Sequence, residues 1–121
     1  MSDYSFYLAT LAFVASRSDR SDARVAAIMA ALDDAAGGIT PQGRFPVAAG
    51  QLEITARAFA GVAALLQKQI LPETIALGHA GAEQQVRWSV DASMAVVNTL
   101  LAAAAQGDGN IMITLPPPPA D

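Results

Sequence analysis

The stretch from Leu52 to Leu71 has the sequence LEITARAFAGVAALLQKQIL. Projected at about 100° per residue, its large apolar side chains fall within one arc, which is typical of an amphipathic helix facing a core. The residues in this arc are Leu52, Phe59, Val62, Leu66 and Ile70, and the opposite face carries Glu53, Arg57 and Lys68. We therefore predict a long core helix here, with Phe59 as its central buried residue. It should end near Leu71, because a proline such as Pro72 disfavours helical angles in the residue before it.

Turn residues on both sides of this stretch divide the chain into four predicted helices. Capping residues mark the starts, and the pairs or clusters of glycine mark the ends. The predicted segments are Asp3–Arg17 with Ser2 as N-cap, a second helix capped by Ser18 or Ser21 and ending at Ala36 before Gly37-Gly38, a third beginning at Pro46, and a fourth over Ala82–Gln106. A short turn is expected at Glu73–Leu77. In the fourth helix we expect Val86, Val90, Val97, Leu101 and, at the margin, Met94 to face the core.

These segments predict an all-α fold, a four-helix bundle-like single domain with two shorter and two longer helices. The bundle would span residues 1–106, and residues 107–121 would form an extended C-terminal tail. Within that tail, Ile111–Leu115 is apolar and β-branched, which predicts a short strand ended by the proline run Pro116–Pro119. No other strand is predicted, so we expect this segment to dock on a neighbouring copy of the chain, either paired antiparallel with the same tail or in an apolar groove between helices of that copy. A disordered tail is the alternative.

Charge is scarce: charged residues make up 15% of the sequence, against about 25% in an ordinary soluble domain. In addition, the first and fourth predicted helices carry apolar or small residues on two faces. Packing within one bundle would bury only one face of each helix. We therefore predict a homo-oligomer, with a dimer as the first choice, and a further protein partner remains open. The predicted interface consists of Phe6, Phe13, Trp88, Ala92, Ala95, Ile111, Ile113 and Leu115.

Composition also argues against several classes of protein. A net charge of −4 and a pI near 4.7 disfavour binding to nucleic acid, which requires a basic face. Cysteine is absent, which excludes a disulfide scaffold and a thiolate metal site. The apolar stretch Phe6–Ala15 has no basic flank and is too short to cross a bilayer. We thus expect a cytoplasmic protein with no membrane span, and the six arginines against one lysine suggest a GC-rich bacterial source.

Catalytic motifs are not found, and we predict no catalytic residue, no metal site and no cofactor. His79 with Glu73 and Glu83 comes closest to a metal or acid–base cluster, but a histidine at a helix terminus explains it more simply. The neighbouring carboxylates of Asp33 and Asp34 would diverge by roughly 100° on a helix, which makes a poor acid–base pair. The sequence Gly107-Asp108-Gly109 is best explained as a turn.

Two functional hypotheses follow from these observations. The first is a non-enzymatic, self-associating helical module that serves in assembly or as an adaptor. The second is a small-ligand-binding or enzymatic bundle with a pocket near Trp88, in which Arg57 or Arg87 would bind an anionic group. The four prolines fit the aromatic grooves of proline-binding domains in general, although a stiff tail explains them more simply.

Overall fold

The computed structural model describes residues 4–107 and 109–119, and in these residues helices predominate. The elements in chain order are α1 (Ser5–Arg17), α2 (Ala23–Gly38), β1 (Arg44–Val47), a 3₁₀ turn (Ala49–Gln51), α3 (Leu52–Leu65), a π-helical turn (Leu66–Ile70), α4 (Leu71–Leu77), α5 (Ala80–Ala105) and β2 (Ile111–Thr114). Because α3, the π-helical turn and α4 follow one another without a break, they form one helical segment, and the predicted single domain of four packed helices is confirmed. A small two-stranded sheet is added to it.

The core lies between α3 and α5, which form the most extensive helix–helix contact of the domain. The predicted arc of α3 faces this core, since Leu52, Phe59, Val62 and Leu66 are all buried. Phe59 stacks against Phe45 of β1, with ring centroids 5.7 Å apart and an angle of 16° between the planes. The sheet therefore contributes directly to the same core.

The buried face of α5 agrees with the predicted one only in part: Val86 and Val97 are buried and Val90 packs against the core, as expected. Leu101 and Met94 are 49% and 40% exposed, whereas Leu100, Ala92 and Ser93 are completely buried. Alanine and serine at these positions leave little side-chain bulk, so neighbouring elements can approach the helix closely. The prediction that Leu101 and Met94 face the core is wrong, because it weighted large apolar residues and ignored the small ones.

The predicted strand exists, but its partner lies in the same chain. β2 pairs antiparallel with β1, so that Phe45 lies opposite Ile113 and Val47 opposite Ile111. The expectation of a strand without an internal partner is therefore wrong. The sequence of β1 alternates buried and exposed residues, and the sheet has only two strands, so Pro46 lies in an edge strand, where proline is tolerated. Pro46 consequently belongs to a strand and does not begin a helix.

Several helix boundaries also differ from the predicted ones. Asp22 caps α2 by accepting a hydrogen bond from the N–H of Arg24, so neither Ser18 nor Ser21 is its cap. The helix continues through Gly37 to Gly38. The prediction for Ser2 and Asp3 lies outside the described residues.

Helical structure also continues past Pro72. The preceding turn widens into π geometry, in which the N–H of Leu71 donates to the carbonyl of Leu66. Pro72 then falls in the first turn of α4, which is the part of a helix where proline is tolerated best. The predicted end near Leu71 and the predicted turn at Glu73–Leu77 are both replaced by helix. Gly78, in the left-handed region, ends α4.

By length and composition, α5 could cross a membrane, and it is the one helix within residues 4–107 and 109–119 that meets this condition. The same helix supplies one of the two main faces of the core. Long core helices share this composition, so the property by itself is weak support for a membrane span. The expectation of no membrane span stays a prediction.

Candidate functional site

Three aromatic side chains meet beside the proline run, and we call this cluster the aromatic platform. It consists of Tyr4, which directly precedes α1, Tyr7 of α1 and Trp88 of α5. The ring of Tyr7 meets Trp88 edge to face, with centroids 5.3 Å apart and an angle of 84°. Tyr4 lies 6.1 Å from Trp88 in a tilted arrangement. Both are geometries that aromatic quadrupoles favour. The platform thus combines aromatic rings that pack edge to face or tilted with polar groups at its edge.

The polar groups of the platform bind the backbone of the proline run. The indole Nε1–H of Trp88 donates a hydrogen bond of 2.6 Å to the carbonyl of Pro117. The hydroxyl of Tyr4 donates to the carbonyl of Pro116 at 3.4 Å, which is long for a hydroxyl donor. Two consecutive carbonyls are therefore held by two aromatic side chains, and the indole contact is the stronger one.

The loop before β1 positions both the platform and the proline run. Gly43 has a φ of 75°, and its backbone touches the Tyr4 ring so closely that a Cβ atom would collide with it. The carbonyl of Gly43 also accepts a hydrogen bond of 2.7 Å from the N–H of Leu115. Leu115 is itself buried. One glycine therefore makes room for Tyr4 and fixes the residue that precedes Pro116.

Tyr7 anchors the platform to the core. Its hydroxyl shares a buried hydrogen bond of 2.7 Å with the hydroxyl of Ser93 on α5. Burial raises the pKa of Tyr7 well above its ordinary value, and the hydrogen bond to Ser93 lowers it by a smaller amount. Tyr7 is therefore neutral at physiological pH.

The eight predicted interface residues fall into two groups in the structure. Phe6, Phe13 and Ala95 are exposed, and Ile111 is partly exposed. The other four are covered by the chain itself: Ala92, Ile113 and Leu115 are buried in the core, and Trp88 is partly covered by Tyr4, Tyr7 and Pro117. Ala92, Ile113 and Leu115 are thus buried within the chain itself and are not exposed to a partner, while the predicted interface as a whole stays a prediction.

The three residues of the predicted ligand pocket are not brought together. Arg57 lines a groove of about 430 Å³ between α2 and α3, together with Arg24, Ile28 and Glu53. Arg87 forms an ion pair of 2.9 Å with Glu83 and borders a different groove, next to Leu71. Trp88 faces Tyr7 and the proline run. A pocket that joins Trp88 to either arginine is therefore not formed by the grooves described here.

The remaining titratable candidates are also separate. His79 is exposed at the start of α5, and Glu83 is paired with Arg87. Asp33 is paired with Arg20 at 3.0 Å, while Asp34 borders a groove beside β1. In the part of the chain that the structure describes, no group of three or more acidic or histidine side chains is placed to hold a metal ion.

Sequence reasoning identified Trp88 and the prolines separately but missed their contact. It gave no role to Tyr4 or Tyr7. A usable signal was present in the spacing of Tyr4 and Tyr7, three residues apart, which places both hydroxyl groups on one side of a helix. What the spacing does not reveal is that α5 brings Trp88 to the same place.

Comparisons with known proteins add no assignment. No family model matches the chain, and no curated protein or solved structure shows significant similarity to it.

Proposed function

We propose that this chain is a non-enzymatic helical assembly or adaptor module of the cytoplasm that self-associates, with a homodimer as its first form. The observation that carries the proposal is the outward face of α1, where Phe6 and Phe13 are 38% and 43% exposed. They lie seven residues apart, so they occupy the same side of the helix about two turns from each other. Large exposed aromatic side chains on one face are typical of protein–protein contacts.

The surroundings of these two rings support a helix–helix contact. Ala9 and Ser16 lie on the same exposed side of α1 and are small, so another helix could approach closely between the rings. The guanidinium of Arg17 lies 5.3 Å from the centre of the Phe13 ring, which places a positive charge at the rim. A stable dimer needs about 1,000 Å² or more of buried surface in total, so residues beside α1 must contribute as well.

The proposal is tested by measuring the mass in solution, by light scattering or sedimentation, at tens of micromolar. We expect twice the chain mass of 12.4 kDa for the native sequence. Phe13→Asp should give the monomer mass, because an unpaired carboxylate would be buried at the contact, at a cost of about 2 kcal/mol or more in association free energy. Its helical circular dichroism should be unchanged, since Phe13 is outside the core.

The matched control is Leu101→Asp, which introduces the same charge at a similarly exposed apolar position on α5. It should remain dimeric. A monomeric native chain would refute the proposal. Dissociation by Leu101→Asp alone would show that self-association uses α5 and not α1, and loss of helicity in Phe13→Asp would show that Phe13 stabilises the fold.

A further inference from the structure

The contacts between the aromatic platform and Pro116–Pro119 have the chemistry of polyproline recognition. A chain in polyproline II conformation makes no internal hydrogen bonds, so its carbonyl groups are available to outside donors. Here the indole of Trp88 and the hydroxyl of Tyr4 supply those donors to consecutive proline carbonyls. Aromatic-lined grooves with such donors are one of the general modes by which proteins bind proline-rich segments.

We propose that the aromatic platform is a binding site for proline-rich peptides of other proteins in polyproline II conformation, and that the chain's own Pro116–Pro119 covers it as an internal competitor. This goes beyond self-association and is independent of it. Phe6 and Phe13 lie on the exposed side of α1, whereas Tyr7 is buried on its inner side.

The contacts do not depend on the prolines belonging to this chain. The two hydrogen bonds reach backbone carbonyls, which every proline-rich peptide presents in the same way. The side chains of these prolines are apolar rings that any proline-rich peptide also carries, and three of the four prolines are partly buried. A peptide from another protein can therefore make the same contacts with Tyr4 and Trp88.

The chain immediately before the proline run is held by contacts of its own. Leu115, the residue before it, is buried and hydrogen-bonded to Gly43, and β2 is paired with β1. These contacts hold the chain up to Leu115 whether or not the prolines are docked. Because the prolines are covalently attached to Leu115, their effective concentration at the platform is on the order of millimolar. A peptide from another protein must therefore compete with them.

The experiment uses the full chain carrying Pro117→Gly and Pro118→Gly, which removes the stiffness of the internal competitor. A fluorescently labelled peptide of ten prolines is titrated into this variant and into the native chain, and binding is followed by anisotropy. We expect the variant to bind at least about tenfold more tightly than the native chain. A glycine–serine peptide of equal length should bind to neither.

Adding Trp88→Phe to that variant keeps an aromatic ring and removes the N–H donor. Loss of one hydrogen bond should weaken binding of the proline peptide about two- to tenfold. The matched control, Met94→Leu in the same background, changes an exposed residue of the same helix that belongs neither to the platform nor to the proposed dimer contact, and it should leave the affinity unchanged. An equal effect of both substitutions would overturn the assignment of the site.

A second measurement needs no substitution. Trp88 is the only tryptophan, so the native chain has a single indole N–H signal in its NMR spectrum. Millimolar decaproline should shift this signal, and the glycine–serine peptide should not. The proposal would be refuted if decaproline neither shifted the Trp88 indole signal nor bound to the glycine variant. If the glycine variant failed to fold, a shift of this signal in the native chain would still support the proposal.

Discussion

The domain contains two aromatic clusters that differ in what surrounds them. Phe45 and Phe59 stack in the core with no exposed surface and no polar atom in either side chain. The aromatic platform instead carries hydroxyl and indole groups, and two of its three rings lie partly at the surface. The phenylalanine pair stabilises the fold by packing alone, whereas the platform also holds backbone carbonyls of another segment. Aromatic rings thus pack only against apolar neighbours in one cluster, and in the other they also hydrogen-bond the backbone of a distant segment of the chain.

The core cluster should be the more costly one to alter. Phe59→Ala is expected to lower the free energy of unfolding by about 3 to 5 kcal/mol, because it leaves a cavity beneath Phe45. Urea unfolding followed by circular dichroism measures this change. As a control, Phe13→Ala makes the same change at an exposed ring and should stay within about 0.5 kcal/mol at dilute concentration. A loss below about 1 kcal/mol for Phe59→Ala would contradict the assigned core.

Among the three residues of the aromatic platform, Tyr7 is the one that is fully buried, as Phe45 and Phe59 are. Tyr7→Phe removes a hydroxyl whose buried partner is Ser93, so it should lower the free energy of unfolding by about 1 to 3 kcal/mol. Adding Ser93→Ala should cost less than the sum of the two single changes, since both remove the same hydrogen bond. Strict additivity in urea unfolding would show that the two hydroxyl groups do not interact.

A smaller effect should appear at alkaline pH. Burial raises the pKa of Tyr7 in the folded state above its value of about 10 in the unfolded chain. Above pH 10 the unfolded state therefore loses this proton first, and folding stability falls by about 1.4 kcal/mol per pH unit. Below pH 10 the group has no such effect. Urea midpoints at pH 9, 10 and 11 should decline less steeply for Tyr7→Phe, and parallel slopes would contradict this origin.

The two clusters also differ in how far the sequence predicts them. Phe59 was predicted as a central core residue because large apolar side chains repeat at helical spacing along α3. Its partner Phe45 was not, because β1 is only four residues long, contains Pro46 and pairs with a strand that follows α5. Such pairing depends on tertiary structure, so the local periodicity of apolar residues does not predict it.

The aromatic platform was not predicted from the sequence either, for a similar reason. Trp88 and the proline run each stood out in the sequence, but their contact requires α1, α5 and the residues after β2 to converge. The face of α5 was misassigned for a related reason. Ala92 and Ser93 are buried because neighbouring elements need small residues there, and hydrophobic periodicity gives such residues little weight.

Pairing of β1 with β2 has a consequence for how the chain folds. The whole of α3, α4 and α5 lies between the two strands, so closing this loop costs chain entropy that no local contact offsets. Helices form in about a microsecond or less, and contacts between neighbouring helices need only short loops. We therefore expect the sheet to assemble late, after α3 and α5 have met. In the transition state for folding, Phe59 would already have its helical neighbours, while Ile113 would still lack its partner strand.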